Sequence, residues 1–412
     1  MRVTEAKFGK LGRPMRFATL RNTAVIGLCF GAAHAFALEV TAKSAIIVDE
    51  ETGQILFEKA AHTPRYPAST TKIMTGMLLL EHCQPSEWIV APKGVDKIER
   101  SSMNLRVGEK VSARGMLYAI MLRSANDGCV AIAHHISGSV PEFSKLMNKR
   151  AREIGCLNTT FNNPNGLNDK KHLTTAYDLS LMAREAMKYA EFREVVKTQE
   201  KTIVRSINHK DLLMKSSNKW LSKDVTADGI KTGYTRDAGR CYVGSVTRNG
   251  YRLITVILNS EDWQVDHKAM VRWAYKHFEK AKVATPGMEV SRIPVGNSTP
   301  ETLPLVVQDE IKYMRKVGMA STVAVKLDGQ IQAPVSEGQK MGSATFSDPS
   351  GWSKTVPVFA GASLEPDPPV WGTTAGKTGF GILSLALVGG AASVRSRRRA
   401  KSYAKTARSS IV

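Results

Sequence analysis

Ser69 and Lys72 stand three residues apart in the stretch Tyr66-Pro67-Ala68-Ser69-Thr70-Thr71-Lys72-Ile73-Met74-Thr75. If the stretch is helical, residues three apart share one face, which brings the serine hydroxyl within hydrogen-bond reach of the lysine amine. A serine hydroxyl alone is a weak nucleophile and needs a base beside it. Lysine serves as that base when burial, a helix N-terminus or a second nearby cation lowers its pKa enough to leave it neutral. The apolar run Ile73, Met74, Met77, Leu78, Leu79 and Leu80 predicts a loop turning into a buried helix, which supplies the first two influences. The chemistry in view is attack by an activated serine.

The spacing alone decides nothing, because Ser216 with Lys219 and Ser402 with Lys405 repeat it. Two further stretches supply context. Ser124-Ala125-Asn126 places a hydroxyl and a carboxamide at a helix-to-loop junction, and Lys231-Thr232-Gly233 lies on a strand where glycine lets another backbone approach. The first pattern recurs at Ser102, Ser206 and Ser216, where it reads as a turn or cap, and the second at Lys377 to Gly379, as a flank of an apolar segment. A helix start, a lobe loop and a sheet strand can converge on one cleft, and Lys231 then provides the second cation.

The elements that must do this positioning are visible in the periodicity. Ser44 to Asp49 and Gln54 to Glu58 read as strands joined at Gly53, and they deliver the chain to Ser69. From Ser69 to about Glu191 the helical period dominates, notably in Arg114 to Met121, Asp127 to Ile136, Val140 to Ile154 and Ala176 to Ala190. Past Val225 come strands at Gly229 to Gly233, Cys241 to Thr247 and Tyr251 to Leu258, the last two joined by the tight turn Asn249-Gly250. The last strand is apolar on both faces, so helices should cover the sheet on both sides, one of them Asp262 to Ala281. The expected class is α/β: an antiparallel sheet flanked by helices, with a helical lobe inserted after its first hairpin. A small all-β domain should follow, including a hairpin of Val323 to Leu327 with Gln330 to Gln332 around Asp328-Gly329.

A net charge of +21 would suit nucleic-acid binding, but much of it sits at the ends of the chain. Arg2, Lys7, Lys10, Arg13, Arg16 and Arg21 precede an apolar run over 24–33, and small-residue cleavage sites follow at Ala33-His34-Ala35 and Ala35-Phe36-Ala37. That order predicts a secretory signal peptide over 1–37. A catalytic domain over 38–283, the β domain over 284–360 and a proline-rich linker over 361–377 come next. The apolar segment 378–394 then leads to a basic tail, 395–412, with Arg395, Arg397, Arg398, Arg399 and Lys401. Its ~17 helical residues span roughly 25 Å, close to the lower limit for crossing a bilayer, so a membrane anchor with a cytoplasmic basic end is expected. The expected partner is membrane lipid and not nucleic acid. Cys83, Cys129, Cys156 and Cys241 lack paired spacing and the nine histidines form no ligand pattern, so no cofactor or metal is expected.

With these residues in place the chain resembles the low-molecular-mass penicillin-binding proteins, the serine D-alanyl-D-alanine carboxypeptidases of the β-lactamase/transpeptidase fold. Pro67 to Thr75 is similar to the family's first motif, Ser124-Ala125-Asn126-Asp127 to its second and Asp228-Gly229-Ile230-Lys231-Thr232-Gly233-Tyr234-Thr235 to its third. Phe161 to Leu167 and Thr174 to Leu179 resemble connecting segments, and Ala333 to Gln339 resembles the family's small C-terminal β domain. The resemblance implies a peptidoglycan stem ending in D-Ala-D-Ala as substrate and β-lactams as covalent inhibitors. It implies attack by Ser69, proton transfer to Lys72, a proton relay through Ser124 and substrate orientation by Asn126. Lys231, Thr232 and Gly233 would bind the terminal carboxylate side, and the backbone N–H of Tyr234 would share the oxyanion with that of Ser69. The family often ends in an amphipathic helix on the outer face of the inner membrane, whereas this tail is apolar enough to cross.

Three rivals share parts of this pattern. A class A β-lactamase recruits a glutamate to activate the deacylating water, and none lies between Gly155 and Asp178. An endopeptidase cutting peptidoglycan cross-links would use the same residues on another substrate. A non-catalytic wall-binding scaffold has no need of the three intact triplets.

Overall fold

A computed structural model describes residues 38–367 of the protein, apart from Arg100 and Asn297. The expected signal peptide, apolar segment and basic tail lie outside these residues. Among the described residues no helix is long and apolar enough to cross a membrane.

The chain opens with the hairpin β1 (Ser44–Asp49) and β2 (Ile55–Lys59), turned at Gly53, whose φ of +76° favours glycine. It then enters a helical lobe: α1 (Lys72–His82), the short pair β3 (Trp88–Val90) and β4 (Lys110–Ser112), α2 (Ala113–Tyr118), α3 (Asn126–Ser137), α4 (Val140–Glu153), α5 (Ala176–Ala186), α6 (Ala190–Lys197), and the pair β5 (Glu200–Thr202) and β6 (Leu213–Lys215). Side chains start several of these helices by accepting orphan backbone N–H groups: Ser112 from Gly115, Ser139 from Glu142 and Thr175 from Asp178. The chain returns to the sheet through β7 (Ala227–Thr235), β8 (Gly239–Arg248) and β9 (Tyr251–Ser260). The antiparallel order is β2-β1-β9-β8-β7, so β7 is an edge strand.

Strand alternation builds two cores from one sheet. β1 sends Ile46 and Val48 into one buried cluster and Ala45 and Ile47 into the other, while β9 divides Ile254, Val256 and Leu258 from Leu253 and Ile257 in the same way. The lobe covers the first face and α7 (Trp263–His277), capped by Asp262, covers the second. Within the lobe every residue of α1 from Lys72 to Leu79 is buried, as its uninterrupted apolar run predicts.

Two expected helices end early. α5 stops at Ala186, Tyr189 is extended, and α6 begins anew at Ala190. α7 stops at His277, and Phe278–Ala284 forms β10, which pairs with β14 (Ile311–Lys316). Phe-Glu-Lys-Ala-Lys-Val-Ala is a good helical composition, and long-range strand pairing overrides it.

The described chain divides into two compact units, and Glu310–Thr322 and Ser347–Ser353 group with the catalytic one. The second unit is built on a sheet of β11 (Glu289–Pro294), β13 (Thr302–Val306), β17 (Ser353–Ala360), β16 (Lys340–Ser347) and β15 (Thr322–Leu327), in that order. β12 (Ser298–Thr299) pairs with β18 (Glu365–Pro366), so the unit runs past its expected limit at 360, with Leu364 fully buried. The expected hairpin partner of β15 is displaced as well. Residues 330–332 form no strand, and β15 neighbours β16, where a side chain at Gly342 would stand 2.2 Å from the Lys326 carbonyl oxygen.

Candidate active site

Ser69 sits in a single 3-10 turn, Ala68–Thr71, that runs directly into α1. Ala68 holds φ +48°, a left-handed conformation unusual for a residue with a side chain. Gly166 packs on this turn, and a Cβ there would stand 1.8 Å from the Ala68 carbonyl oxygen, so only glycine permits the approach. On the other side a Cβ at Gly233 would stand 3.0 Å from the Ser69 nitrogen. The nucleophile's backbone is thus held between a loop and the edge strand β7.

Lys72, the first residue of α1, is completely buried. Its Nζ is in hydrogen-bond contact with Ser69 Oγ at 3.0 Å and donates to Asn126 Oδ1 at 2.7 Å and to the Asn165 carbonyl at 2.6 Å. Asn126 Nδ2 donates to the Glu99 carbonyl at 2.9 Å, which fixes which end of the amide faces the lysine. The next residue, Asp127, accepts from Ser102 Oγ and from the backbone N–H groups of Met103 and Leu105, so it ties the 102–105 loop to the start of α3. Ser124 ends a π-helical turn, Ala119–Arg123, in the left-handed region at φ +64°.

Lys231 lies buried beneath the strand surface and donates to the Thr232 carbonyl at 2.9 Å. Burial lowers Lys72 to about 8 against the pull of Cys129 and Asp127. Burial and then the charge of Lys72 lower Lys231 to about 7. The repulsion expected to keep Lys72 neutral therefore falls on its partner, and burial itself does most of the lowering at both.

A cleft of about 670 Å³ opens over these groups, with Ser69, Ser124, Thr232, Gly233 and Tyr234 in its wall. Of the residues singled out from sequence, these five face the cleft while Lys72, Asn126 and Lys231 lie behind it. The stretch set aside as a decoy also reaches the wall through Ser217 and Lys219, and Ser217 Oγ lies 2.9 Å from Thr232 Oγ1.

Three features escape sequence reading. Asn165 contributes a main-chain carbonyl, which no residue type announces. Arg240 enters the wall only because β8 pairs with β7. His172 acts as a neutral strut: Asn162 N–H donates to its Nδ1 at 3.0 Å, so Nε2 carries the hydrogen and donates to Thr71 Oγ1 at 2.9 Å. Burial lowers His172 to about 4. The unfolded chain takes up its proton below about 6.5 while the folded chain does not, so stability is present above that pH and is lost as pH falls toward 4. Between pH 6.5 and 5 the wild type should lose about 2 kcal/mol more than His172→Gln in denaturant unfolding; equal losses would remove His172 from the account.

Solved structures share this architecture. Penicillin binding protein 5 from Haemophilus influenzae is 25% identical with a TM-score of 0.66, over 79% of this chain and 98% of that one. The D-alanyl-D-alanine carboxypeptidase DacD from Francisella tularensis is 24% identical with a TM-score of 0.67, over 81% of this chain and 96% of that one. The fold is therefore that of the penicillin-binding proteins. The chain belongs to the D-alanyl-D-alanine carboxypeptidase family, which residues 31–262 match, and residues 278–365 match the penicillin-binding protein 5 C-terminal domain. A curated relative, the D-alanyl-D-alanine carboxypeptidase DacF of Bacillus subtilis, is 31% identical over 77% of this chain and 85% of its own length.

Proposed function

We infer that the protein is a serine-type D-alanyl-D-alanine carboxypeptidase, which removes the terminal D-alanine from peptidoglycan pentapeptide stems through an acyl-enzyme on Ser69. The partners of Lys72 give the strongest support. A neutral amine has two hydrogens and one lone pair, and the carbonyl oxygens of Asn126 and Asn165 accept only, so they take the hydrogens. The lone pair then faces Ser69 Oγ at 3.0 Å. Ser69 Oγ attacks the carbonyl of the penultimate D-alanine and its proton passes to Lys72, while the backbone N–H groups of Ser69 and Tyr234 hold the oxyanion. Ser124 relays the proton to the departing amine, and D-alanine leaves. Water then cleaves the ester, returning the Ser69 hydroxyl and releasing the shortened stem acid. Thr232, Gly233 and the charge of Lys231 receive the terminal carboxylate, and Asn126, behind the cleft, orients the Lys72 amine through its Oδ1. A β-lactam follows the same first step and remains as an ester on Ser69.

This mechanism needs the one proton shared by the two coupled amines to sit on Lys231, whereas in the free cleft Lys231 is lowered further than Lys72; the substrate carboxylate arriving at Lys231 draws the proton there and leaves Lys72 neutral. kcat/KM should therefore rise as the pair loses its first proton, near pH 7, and fall as it loses the second, near pH 8. A profile that keeps rising to pH 10 would exclude the charged role of Lys231.

The test of the activity itself is to incubate the protein with a muropeptide pentapeptide and measure free D-alanine by mass spectrometry. Release from monomeric pentapeptide is expected; cleavage confined to cross-linked dimers would make the enzyme an endopeptidase. Export by residues 1–37 and attachment by 378–394 complete the proposal and place the cleft on the outer face of the cytoplasmic membrane, beside peptidoglycan. A C-terminal tag should resist protease added to intact spheroplasts, and its digestion would refute a crossing segment.

A further inference from the structure

At the ends of α1 and α3 opposite the reacting groups, three side chains of different donor chemistry meet. Cys83 follows the last residue of α1, His135 lies in the last turn of α3, and Glu87 sits on the connection from α1 to β3. The ligand atoms of Cys83, Glu87 and His135 all lie within 4.8 Å of one another. His135 Nε2 is 2.7 Å from Glu87 Oε1, and Gln84 N–H donates to Glu87 Oε2 at 3.0 Å, so the carboxylate is already turned toward the imidazole. The imidazole and carboxylate are reachable from solvent, with side-chain exposures of 25% at His135 and 39% at Glu87, and the Cys83 thiol lies deeper behind them.

We propose that Cys83, Glu87 and His135 form a binding site for one zinc-class divalent cation. The cation enters between imidazole and carboxylate, the thiol gives its proton to solvent, and sulfur, nitrogen and oxygen take three tetrahedral positions with water in the fourth. The mixed donor set selects against calcium and magnesium, which require oxygen ligands. Spacing concealed the site because its ligands come from two helix ends joined only by the fold, 48 residues apart for Glu87 and His135. α1 and α3 have 11 and 12 residues, about 16 and 18 Å, so the cation lies a helix length from Lys72 and Asn126. Its effect is to clamp the two helices that carry those groups and not to enter the reaction.

The test uses the full-length chain in detergent, stripped by chelator and kept reduced by a phosphine. Titration with Co²⁺ should give a thiolate-to-cobalt charge-transfer band saturating at one equivalent and displaced by Zn²⁺. Cys83→Ser should abolish the band, and His135→Gln and the exposed-site variant Glu87→Gln should weaken binding at least about ten-fold. Zn²⁺ should raise the melting temperature of the wild type more than that of any of the variants. Absence of the band in the wild type, its survival in Cys83→Ser, or an equal Zn²⁺ shift in all variants overturns the proposal. Should Cys83→Ser fail to fold, unweakened binding by Glu87→Gln overturns it equally.

Discussion

Ser69→Ala should leave no covalent adduct with a fluorescent penicillin, and Lys72→Ala should slow its formation by about 10²- to 10⁴-fold, the range of a lost general base. The two losses differ in kind. Without the Ser69 hydroxyl no ester can form. Without Lys72 the hydroxyl remains, but its proton has no acceptor at the observed 3.0 Å. Lys72→Arg separates base strength from charge, because guanidinium keeps its proton and cannot accept another. It should be as slow as Lys72→Ala, and an arginine variant acylating at the wild-type rate would end the general-base assignment. Removing Lys72 also leaves Asn126 Oδ1 and the Asn165 carbonyl without this donor, so unfolding curves must accompany the rates.

Arg205→Met should cost about 3–5 kcal/mol of stability in denaturant unfolding, the largest effect expected away from the cleft. Arg205 and Glu109 are fully buried and paired in fork geometry, Nε to Oε1 at 2.8 Å and Nη2 to Oε2 at 3.0 Å. The same guanidinium donates to the carbonyls of Met103 and Asp211 at 2.8 and 2.9 Å. Burial pushes Glu109 up, but Arg205 and the backbone N–H groups of Arg106 and Asn208 outweigh it and hold the carboxyl below its ordinary value. Methionine would leave that carboxylate buried and unpaired. Arg205→Met combined with Glu109→Leu should recover much of the loss; a double variant no more stable than the single one would mean that the carbonyl contacts matter more.

What was legible in the sequence was whatever a side-chain pattern encodes. The apolar run after Lys72 announced a buried helix, and the strand after Tyr251, apolar on both faces, announced a sheet covered on both sides. The triplets at Ser69, Ser124 and Lys231 were found because their residue types carry chemistry. The site's remaining parts are geometric. The Asn165 carbonyl is a backbone atom, His172 works by staying neutral, and Ser217 joins the wall by tertiary placement although its stretch looked like coincidence. β10 was hidden because its residues favour helix and only its pairing with β14 makes it a strand.

The nucleophile's surroundings come from segments scattered through the chain: the turn at Ser69, α3 at Asn126, the loop at Asn165 and β7 at Gly233. A nascent chain that has formed α1 but not yet laid down β7 lacks part of this constellation. Acylation by a labelled penicillin would then count native molecules, and brief pulses of the drug during refolding would time the arrival of the edge strand. The antibiotic becomes a stopwatch for the sheet's completion.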